Sequence, residues 1–194
     1  MPDIDIRPAA ALMARVLQGV SDDALDAPTP CEGMTLGQLV GHVDGFAQVF
    51  TLTARKDLGE MTATPPAPDD ADLEPGWQQR AAGHLAELGE AWQADDAWDG
   101  MTQAGGVDLP GAVAGRVALD ELVVHGWDVA KATGQPFEPD EAHLEEIEVT
   151  VKQFRGGSTG EIPGLFGPAV AVPDDAPALD RVLGLTGRDP QWSP

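Results

Sequence analysis

The sequence predicts an all-α protein, a single helical bundle built from a chain of 194 residues. Three observations favour this fold class. Apolar residues recur at helical spacing in several long segments, and the segments between them are rich in Pro, Gly and Asp. No stretch alternates apolar and polar residues for long enough to predict the strands of a substantial sheet. A chain of this length has room for one sizeable core.

Three helices are predicted in the first half of the chain. Apolar residues on one face predict a helix over residues 8–20. Thr35, with a glutamine three residues later, has the pattern of a capping box and begins a second helix, residues 36–56. Residues 59–75 are rich in proline and predict a loop, because proline disfavours regular structure. A third helix is predicted over residues 76–94.

The later helices are predicted at residues 111–132, 140–154 and 176–186. Residues 98–110, which precede them, predict a loop with a short strand-like piece. Gly134 is a natural end for the fourth helix, since glycine readily takes the left-handed conformation after a last turn. We expect residues 1–194 to form one helical-bundle domain, with a C-terminal extension from about residue 157 that holds an extra helix and an irregular tail.

Charge and composition exclude several classes of function. The formal net charge is −22, whereas nucleic acids and anionic membranes attract basic surfaces. No apolar run approaches the ~20 residues of a membrane span, and the N-terminus has no basic targeting segment. Cys31 is the single cysteine, so no internal disulfide can form. We therefore expect a cytoplasmic protein that binds neither nucleic acid nor membrane. The oligomeric state is not predicted, and a homodimer is one of the alternatives.

The fourth predicted helix carries an ionisable pair on its apolar face. Glu121 and His125 are four residues apart, on one line with Val117 and Val129. A buried carboxylate needs a partner, a metal or a cavity. His42 lies on the core-facing stripe of the second helix. Two neighbouring helices could thus offer a histidine and a Glu-x-x-x-His pair to one divalent cation, with coordination positions left open as in catalytic sites.

Each of these residues also has a simpler interpretation. His42 could be a core histidine bonded to a backbone carbonyl, and Glu121 and His125 could pair with each other without a metal. Asp128 could orient His125 or face solvent. Cys31, in a turn-rich loop beside an acidic residue, is interpreted as structural.

Two patches resemble the mycothiol-dependent maleylpyruvate isomerase-like branch of the DinB superfamily. They are residues 28–42 (PTPCEGMTLGQLVGH) and residues 120–135 (DELVVHGWDVAKATGQ). The closing stretch, residues 166–190, also looks like the small metal-binding proteins of that branch. Family members commonly have an aromatic residue in place of Met34, and characterised isomerase-like members carry an additional C-terminal domain for which this chain ends too early.

The resemblance implies a four-helix bundle with one divalent metal, most often zinc, although Ni²⁺ and Fe²⁺ are alternatives. It assigns the metal ligands to His42, Glu121 and His125, and it implies a low-molecular-weight thiol as cosubstrate. Three functions follow as hypotheses. They are a thiol-dependent transferase or isomerase acting on an electrophilic substrate, a non-catalytic metal-binding stress-response module whose fourth ligand would be Asp128 or Cys31, and a non-haem iron site.

The sequence assigns no functional role to several further residues. His84 and His143 fall in helical contexts that look exposed, and Trp127 is interpreted as a packing or rim residue. The mid-chain cations are interpreted as partners in surface ion pairs with the abundant acidic residues; they are Arg80, Arg116, Lys131 and Arg155.

Overall fold

The computed structural model describes residues 4–65 and 73–194. It contains seven helices and one hairpin, at α1 Arg7–Gln18, α2 Leu36–Arg55, α3 Trp77–Ala91, α4 Asp95–Trp98, β1 Met101–Ala104, β2 Val107–Pro110, α5 Gly111–Thr133, α6 Glu141–Arg155 and α7 Ala178–Leu185. Part of the loop predicted at residues 59–75 lies outside the described residues, as do residues 1–3 at the N-terminus. Within the described chain, no helix has the length and apolar character that crossing a membrane requires.

Helices α1, α2, α3 and α5 form a closed bundle. Helix α1 packs on α3, α3 on α2, α2 on α5, and α5 on α1 again. Their inward faces carry fully buried Leu, Phe, Met and Trp side chains, including Met13, Phe46, Leu85 and Leu119. Burying such side chains is the main favourable term in folding. The predicted all-α bundle with an extra C-terminal helix is confirmed.

The local signals mark the ends of the helices that carry the site. The side chain of Thr35 accepts a hydrogen bond from the Gln38 amide, and the Gln38 side chain accepts one from the Thr35 amide. This is the predicted capping box, and it begins α2 just before its apolar stripe. Gly134, with φ +67°, ends α5 in the left-handed conformation.

The segment between α3 and α5 is more ordered than the sequence predicts. The third helix ends at Ala91, earlier than expected, and the short helix α4 follows it. The strand-like piece is an antiparallel hairpin whose two-residue turn, Gly105-Gly106, has both φ angles positive. Two positive φ angles match the twist of a tight hairpin and favour glycine. The hairpin contacts α2 and α5 at one end of the bundle.

The C-terminal extension is attached to the bundle through α6. Helix α6 packs on α5 and on α7, and between α6 and α7 the chain is irregular. Arg155, at the end of α6, is only 5% exposed and donates hydrogen bonds to the backbone carbonyls of Leu185, Gly160 and Gly167. One guanidinium therefore holds three points of the tail. The surface ion pair predicted for Arg155 was wrong, since its five donors are well suited to a cluster of carbonyls.

Candidate metal centre

Helices α2 and α5 bring the three predicted metal ligands together inside the bundle. His42 Nε2 lies 3.4 Å from Glu121 Oε2, and His125 Nε2 lies 3.1 Å from the same oxygen. The rings of His42 and His125 meet edge to face, with their centroids 5.0 Å apart. The glutamate carboxylate thus sits between two imidazoles that come from different helices. The i, i+4 spacing on α5 and the core-facing position on α2 account for this meeting.

The donor set fits a divalent metal ion. One ligand atom from each of His42, Glu121 and His125 lies within 4.8 Å of the other two. Two imidazoles and one carboxylate are a ligand set that both catalytic zinc and non-haem iron use. His42 Nδ1 is buried and has no hydrogen-bond partner among the described residues, so that ring is not held as a core histidine bonded to a backbone carbonyl. The Glu121 side chain is 26% exposed, which leaves the cluster open on one side.

The second ring nitrogen of His125 is held by Asp128. His125 Nδ1 lies 3.0 Å from Asp128 Oδ2, and the Asp128 side chain is completely buried. A carboxylate at Nδ1 keeps a proton on that nitrogen, so that Nε2 is the nitrogen directed toward Glu121 and offered to a metal that displaces its proton. Of the two interpretations of Asp128, orientation of His125 agrees with this contact and a solvated helix surface does not.

The carboxylate of Asp128 is in turn bound by Arg188, a residue to which the sequence analysis assigned nothing. Arg188 places NH2 3.1 Å from Asp128 Oδ2 and Nε 3.5 Å from Oδ1. Its NH1 donates to the Thr186 carbonyl, and NH2 also lies 3.5 Å from Cys31 Sγ. Arg188 follows α7, 60 residues along the chain from Asp128. No local spacing or motif connects two residues so far apart, so the sequence offered no signal for this pair.

A tight turn after α7 makes this reach possible. The Arg188 amide donates to the Leu183 carbonyl at 2.8 Å, and the Gly187 amide donates to the Gly184 carbonyl at 3.2 Å. These bonds form a Schellman motif. Gly187 has φ +86°, and a Cβ there would lie 3.0 Å from the Gly167 Cα. Glycine is therefore required both for the backbone angle and for the close approach.

The charges of the site stabilise one another. Burial disfavours the ionised form of Glu121, but hydrogen bonds with His125 and His42 outweigh burial and hold the pKa of this carboxyl well below its ordinary value. Burial alone would lower the pKa of His125, yet its bonds with Asp128 and Glu121 raise that pKa to about 9. A metal ion at Nε2 of His125 would have to compete with a firmly held proton.

Cys31, Asp128 and His125 form a second cluster of candidate ligand atoms, also within 4.8 Å of one another. The guanidinium of Arg188 already bonds to two of its three members. Burial raises the pKa of the Cys31 thiol to about 11, even though Arg188 opposes that rise. The second cluster is therefore satisfied by an internal cation and a neutral thiol, while the ligand atoms of the first contact one another and pair with no arginine or lysine of the described residues.

The structure corrects two predictions about histidines. His84 is half-buried, and its Nδ1 lies 2.7 Å from Asp44 Oδ1 on the neighbouring helix. His143 is buried, with Nε2 2.8 Å from the Asp5 carbonyl. Helical periodicity within one segment cannot reveal either contact, because both partners are distant in sequence. Neither histidine belongs to the cluster around Glu121.

Three further residues lie away from the cluster. Trp127 is buried, in agreement with a packing role, and the Lys131 ammonium lies 5.8 Å from its ring centroid. Lys131 also donates to the Pro190 carbonyl. Arg116 forms the predicted kind of ion pair, with Glu146 on α6.

Residues 6–130 match the family described as "Mycothiol maleylpyruvate isomerase N-terminal domain". The chain belongs to this family. The match contains His42, Glu121 and His125, and it ends before Gly134, so that α6, α7 and Arg188 lie beyond it. The predicted resemblance is confirmed.

Individual relatives agree with this membership. Two uncharacterized proteins from two strains of Mycobacterium tuberculosis are each 29% identical to the chain over 187 residues, which are 90% of this chain and 91% of the relative. Two crystal structures of the mycothiol-dependent maleylpyruvate isomerase are similar in fold. A histidine-to-alanine mutant matches with TM-score 0.62 and 20% identity, and a second structure matches with 0.60 and 18%. Each match covers 80% of this chain and 70% of the isomerase.

Proposed function

We propose that this protein binds one divalent metal ion through His42, Glu121 and His125, and that it uses the site in a thiol-dependent isomerisation or transfer reaction. The observation that carries the proposal is the convergence of three donor atoms from α2 and α5 on one point of the bundle. Membership of a mycothiol-dependent family supports the thiol. Zinc is the expected ion, which would supply Lewis-acid chemistry that lowers the pKa of a coordinated thiol.

The residues of the chain prepare the site in three ways. Glu121 stays ionised across the physiological range, because its two histidine partners hold its pKa low. Asp128 fixes the tautomer of His125, so that Nε2 is the nitrogen presented to the ligand cluster. The partly exposed edge of Glu121 leaves a side from which a small thiol and an electrophilic carbon compound can approach.

The non-catalytic alternative requires a fourth protein ligand, for which the sequence analysis named Asp128 and Cys31. Both side chains are engaged by the Arg188 guanidinium, and the carboxylate of Asp128 also bonds to His125. A ligand bound by a buried arginine is a poor donor to a second cation, because like charges repel. The engagement of Asp128 and Cys31 by Arg188 supports a metal ion with an open coordination position. A substrate could bind at that position.

Elemental analysis of the purified protein tests the metal. We expect about one zinc per chain in the native protein and none in the His42→Ala/His125→Ala double variant. His84→Ala is the matched control, since it removes a half-buried, carboxylate-paired histidine outside the cluster. Equal metal content in the native protein and the double variant would refute the proposed site.

Calorimetric titration with mycothiol tests the thiol. The metal-loaded native protein and the His84→Ala control are expected to bind mycothiol, while the double variant and the metal-free native protein are not. An analogue of mycothiol with a hydroxyl in place of the thiol separates recognition of the sulfur from recognition of the rest of the molecule. Equal affinity for both compounds would contradict a role for the sulfur.

A further inference from the structure

The C-terminal extension is linked to the ligand cluster through Arg188, which bonds to Asp128 behind His125. This side chain is 12% exposed, and the Asp128 carboxylate that it binds is fully buried. The contacts form a continuous chain from the tail to the cluster, in which Arg188 bonds to Asp128, Asp128 to His125, and His125 to Glu121. All three links measure between 3.0 and 3.1 Å.

We propose that Arg188 is a positioning residue of the metal site, and that the C-terminal extension is therefore a working part of that site. Arg188 holds Asp128, and Asp128 holds the ring of His125. The inference rests on the proposed function, since it concerns the same metal ligands. It adds a residue from beyond the region that matches the family, and it gives the extension a function.

The burial of Asp128 is the first reason for this role. A carboxylate with no exposed surface is stable only when hydrogen bonds and an opposite charge compensate its lost hydration. His125 provides one bond to Oδ2, and Arg188 binds both oxygens from the other side. Without the guanidinium, the buried carboxylate would lose its opposite charge and two of its hydrogen bonds, so it would be expected to turn toward solvent. That movement would remove the hydrogen bond that orients the His125 ring.

The geometry of the guanidinium is the second reason. Arg188 approaches Asp128 with Nε and NH2, one donor for each oxygen, while NH1 is held by the Thr186 carbonyl. A planar fork fixed at its other end restrains the plane of the carboxylate as well as its charge. A lysine at this position could supply the charge but not the fork. Arginine and lysine should therefore differ measurably here.

A positioning role and a purely electrostatic role lead to opposite predictions. As a fixed positive charge, Arg188 repels a cation bound nearby, so its removal would strengthen metal binding. If Arg188 instead orients Asp128 and His125, its removal would weaken metal binding. Loss of a partner behind a ligand histidine typically lowers metal affinity about 10- to 100-fold. The sign of the change in affinity distinguishes the two roles.

The full-length protein titrated with Co²⁺ provides the test, since cobalt reports its coordination geometry through its visible absorption spectrum. We expect Arg188→Met to bind Co²⁺ about 10- to 100-fold more weakly than the native protein and with an altered spectrum. Arg188→Lys should be intermediate. The control is Arg181→Met, which removes a cation from α7 whose ion pair is with Glu148, away from the site. It should bind Co²⁺ as the native protein does.

An unchanged affinity and spectrum in Arg188→Met, or tighter binding, would overturn the positioning role. The proposed function is judged separately in the same experiment, because it fails only if the native protein itself binds no Co²⁺. A native protein that binds Co²⁺ together with an unaffected Arg188→Met variant would disprove this inference alone.

Hydrogen exchange on the native protein provides a second test that does not depend on a folded variant. Coupling between two sites is reciprocal, so an ion that prefers the oriented His125 must also favour the docked tail. We expect Zn²⁺ to slow amide exchange in residues 178–188 of the native protein. Slower exchange in α2 and α5 with no change in residues 178–188 would contradict the inference.

Discussion

The affinity of this site for zinc should depend steeply on pH. The dependence should continue to pH values at which a histidine with an ordinary pKa has already lost its proton. The experiment varies the pH between 6 and 9 and follows the zinc affinity of the native protein. His125 has a pKa of about 9, because its bonds with Asp128 and Glu121 outweigh the effect of burial. A metal ion at Nε2 displaces the proton from that nitrogen, so binding releases a proton wherever His125 is charged.

The magnitude follows from that pKa. Each pH unit below the pKa of a displaced proton lowers the affinity tenfold, or roughly 1.4 kcal/mol. Zinc should therefore bind about 100-fold more tightly at pH 8 than at pH 6 through His125 alone. An unperturbed histidine, with pKa near 6.5, would lose nearly all of this dependence above pH 7. The slope between pH 7 and 8.5 is thus the diagnostic quantity.

The stability of the metal-free protein should change in the opposite direction. The folded-state pKa of His125, about 9, lies above the ordinary histidine value of 6.5. The stabilisation from its charged pair is therefore complete below pH 6.5 and is lost as the pH rises through 9. The full shift corresponds to roughly 3 kcal/mol. We expect the free energy of unfolding in the presence of chelator to decrease over this range.

Two assays check these expectations. Competition with a chelator of known pH dependence measures zinc affinity at each pH, and denaturant titration with excess chelator measures stability. His84→Ala is the control for the first assay, and it should keep the native slope, since its ring lies outside the cluster. A zinc affinity that does not change between pH 7 and 8.5 would refute the assignment of His125 Nε2 as a ligand with a raised pKa.

Two further predictions concern other parts of the molecule. Arg155→Met should destabilise the protein by about 3 kcal/mol in denaturant titration, because three backbone carbonyls lose charge-assisted hydrogen bonds from a buried guanidinium. Lys152→Met, which removes an exposed ion pair from the same helix, should change stability by less than about 1 kcal/mol, and equal effects of the two substitutions would contradict the anchoring role. The thiol of Cys31 should react with iodoacetamide at pH 8 at least about tenfold more slowly than free cysteine, because burial raises its pKa to about 11 and little thiolate is present. A rate equal to that of free cysteine in the folded protein would show that the thiol is not shielded in this way.

The sequence was sufficient for the features that depend on neighbours along the chain. The capping box at Thr35, the glycine end of α5 and the Glu121/His125 pair are all encoded within four residues. Helical periodicity then placed His42 on a face directed toward the core. The two core-facing stripes suggested that α2 and α5 meet at these residues, the family resemblance implied the same, and the structure brings the candidate ligand atoms within 4.8 Å of one another.

Most of the contacts that the sequence did not reveal join residues far apart in the chain. His84 pairs with Asp44 on another helix, and His143 bonds to the backbone near the N-terminus. Both looked exposed because a helical pattern describes one segment and contains no information about the neighbouring one. Arg155 was misjudged for the same reason, since its carbonyl partners lie in an irregular tail with no periodicity to predict.

By itself, the sequence determined the all-α class, the main helices of the bundle and the candidate metal ligands, because helix formation and amphipathic faces follow from local spacing and side-chain type. Only the tertiary structure decided which groups surround those residues. It placed Arg188 against Asp128 and Cys31, and it brought His42, Glu121 and His125 together as a separate cluster. Hydrogen bonds and electrostatic interactions act over a few ångströms in space whatever the separation along the chain, so they become known only once the helices are packed.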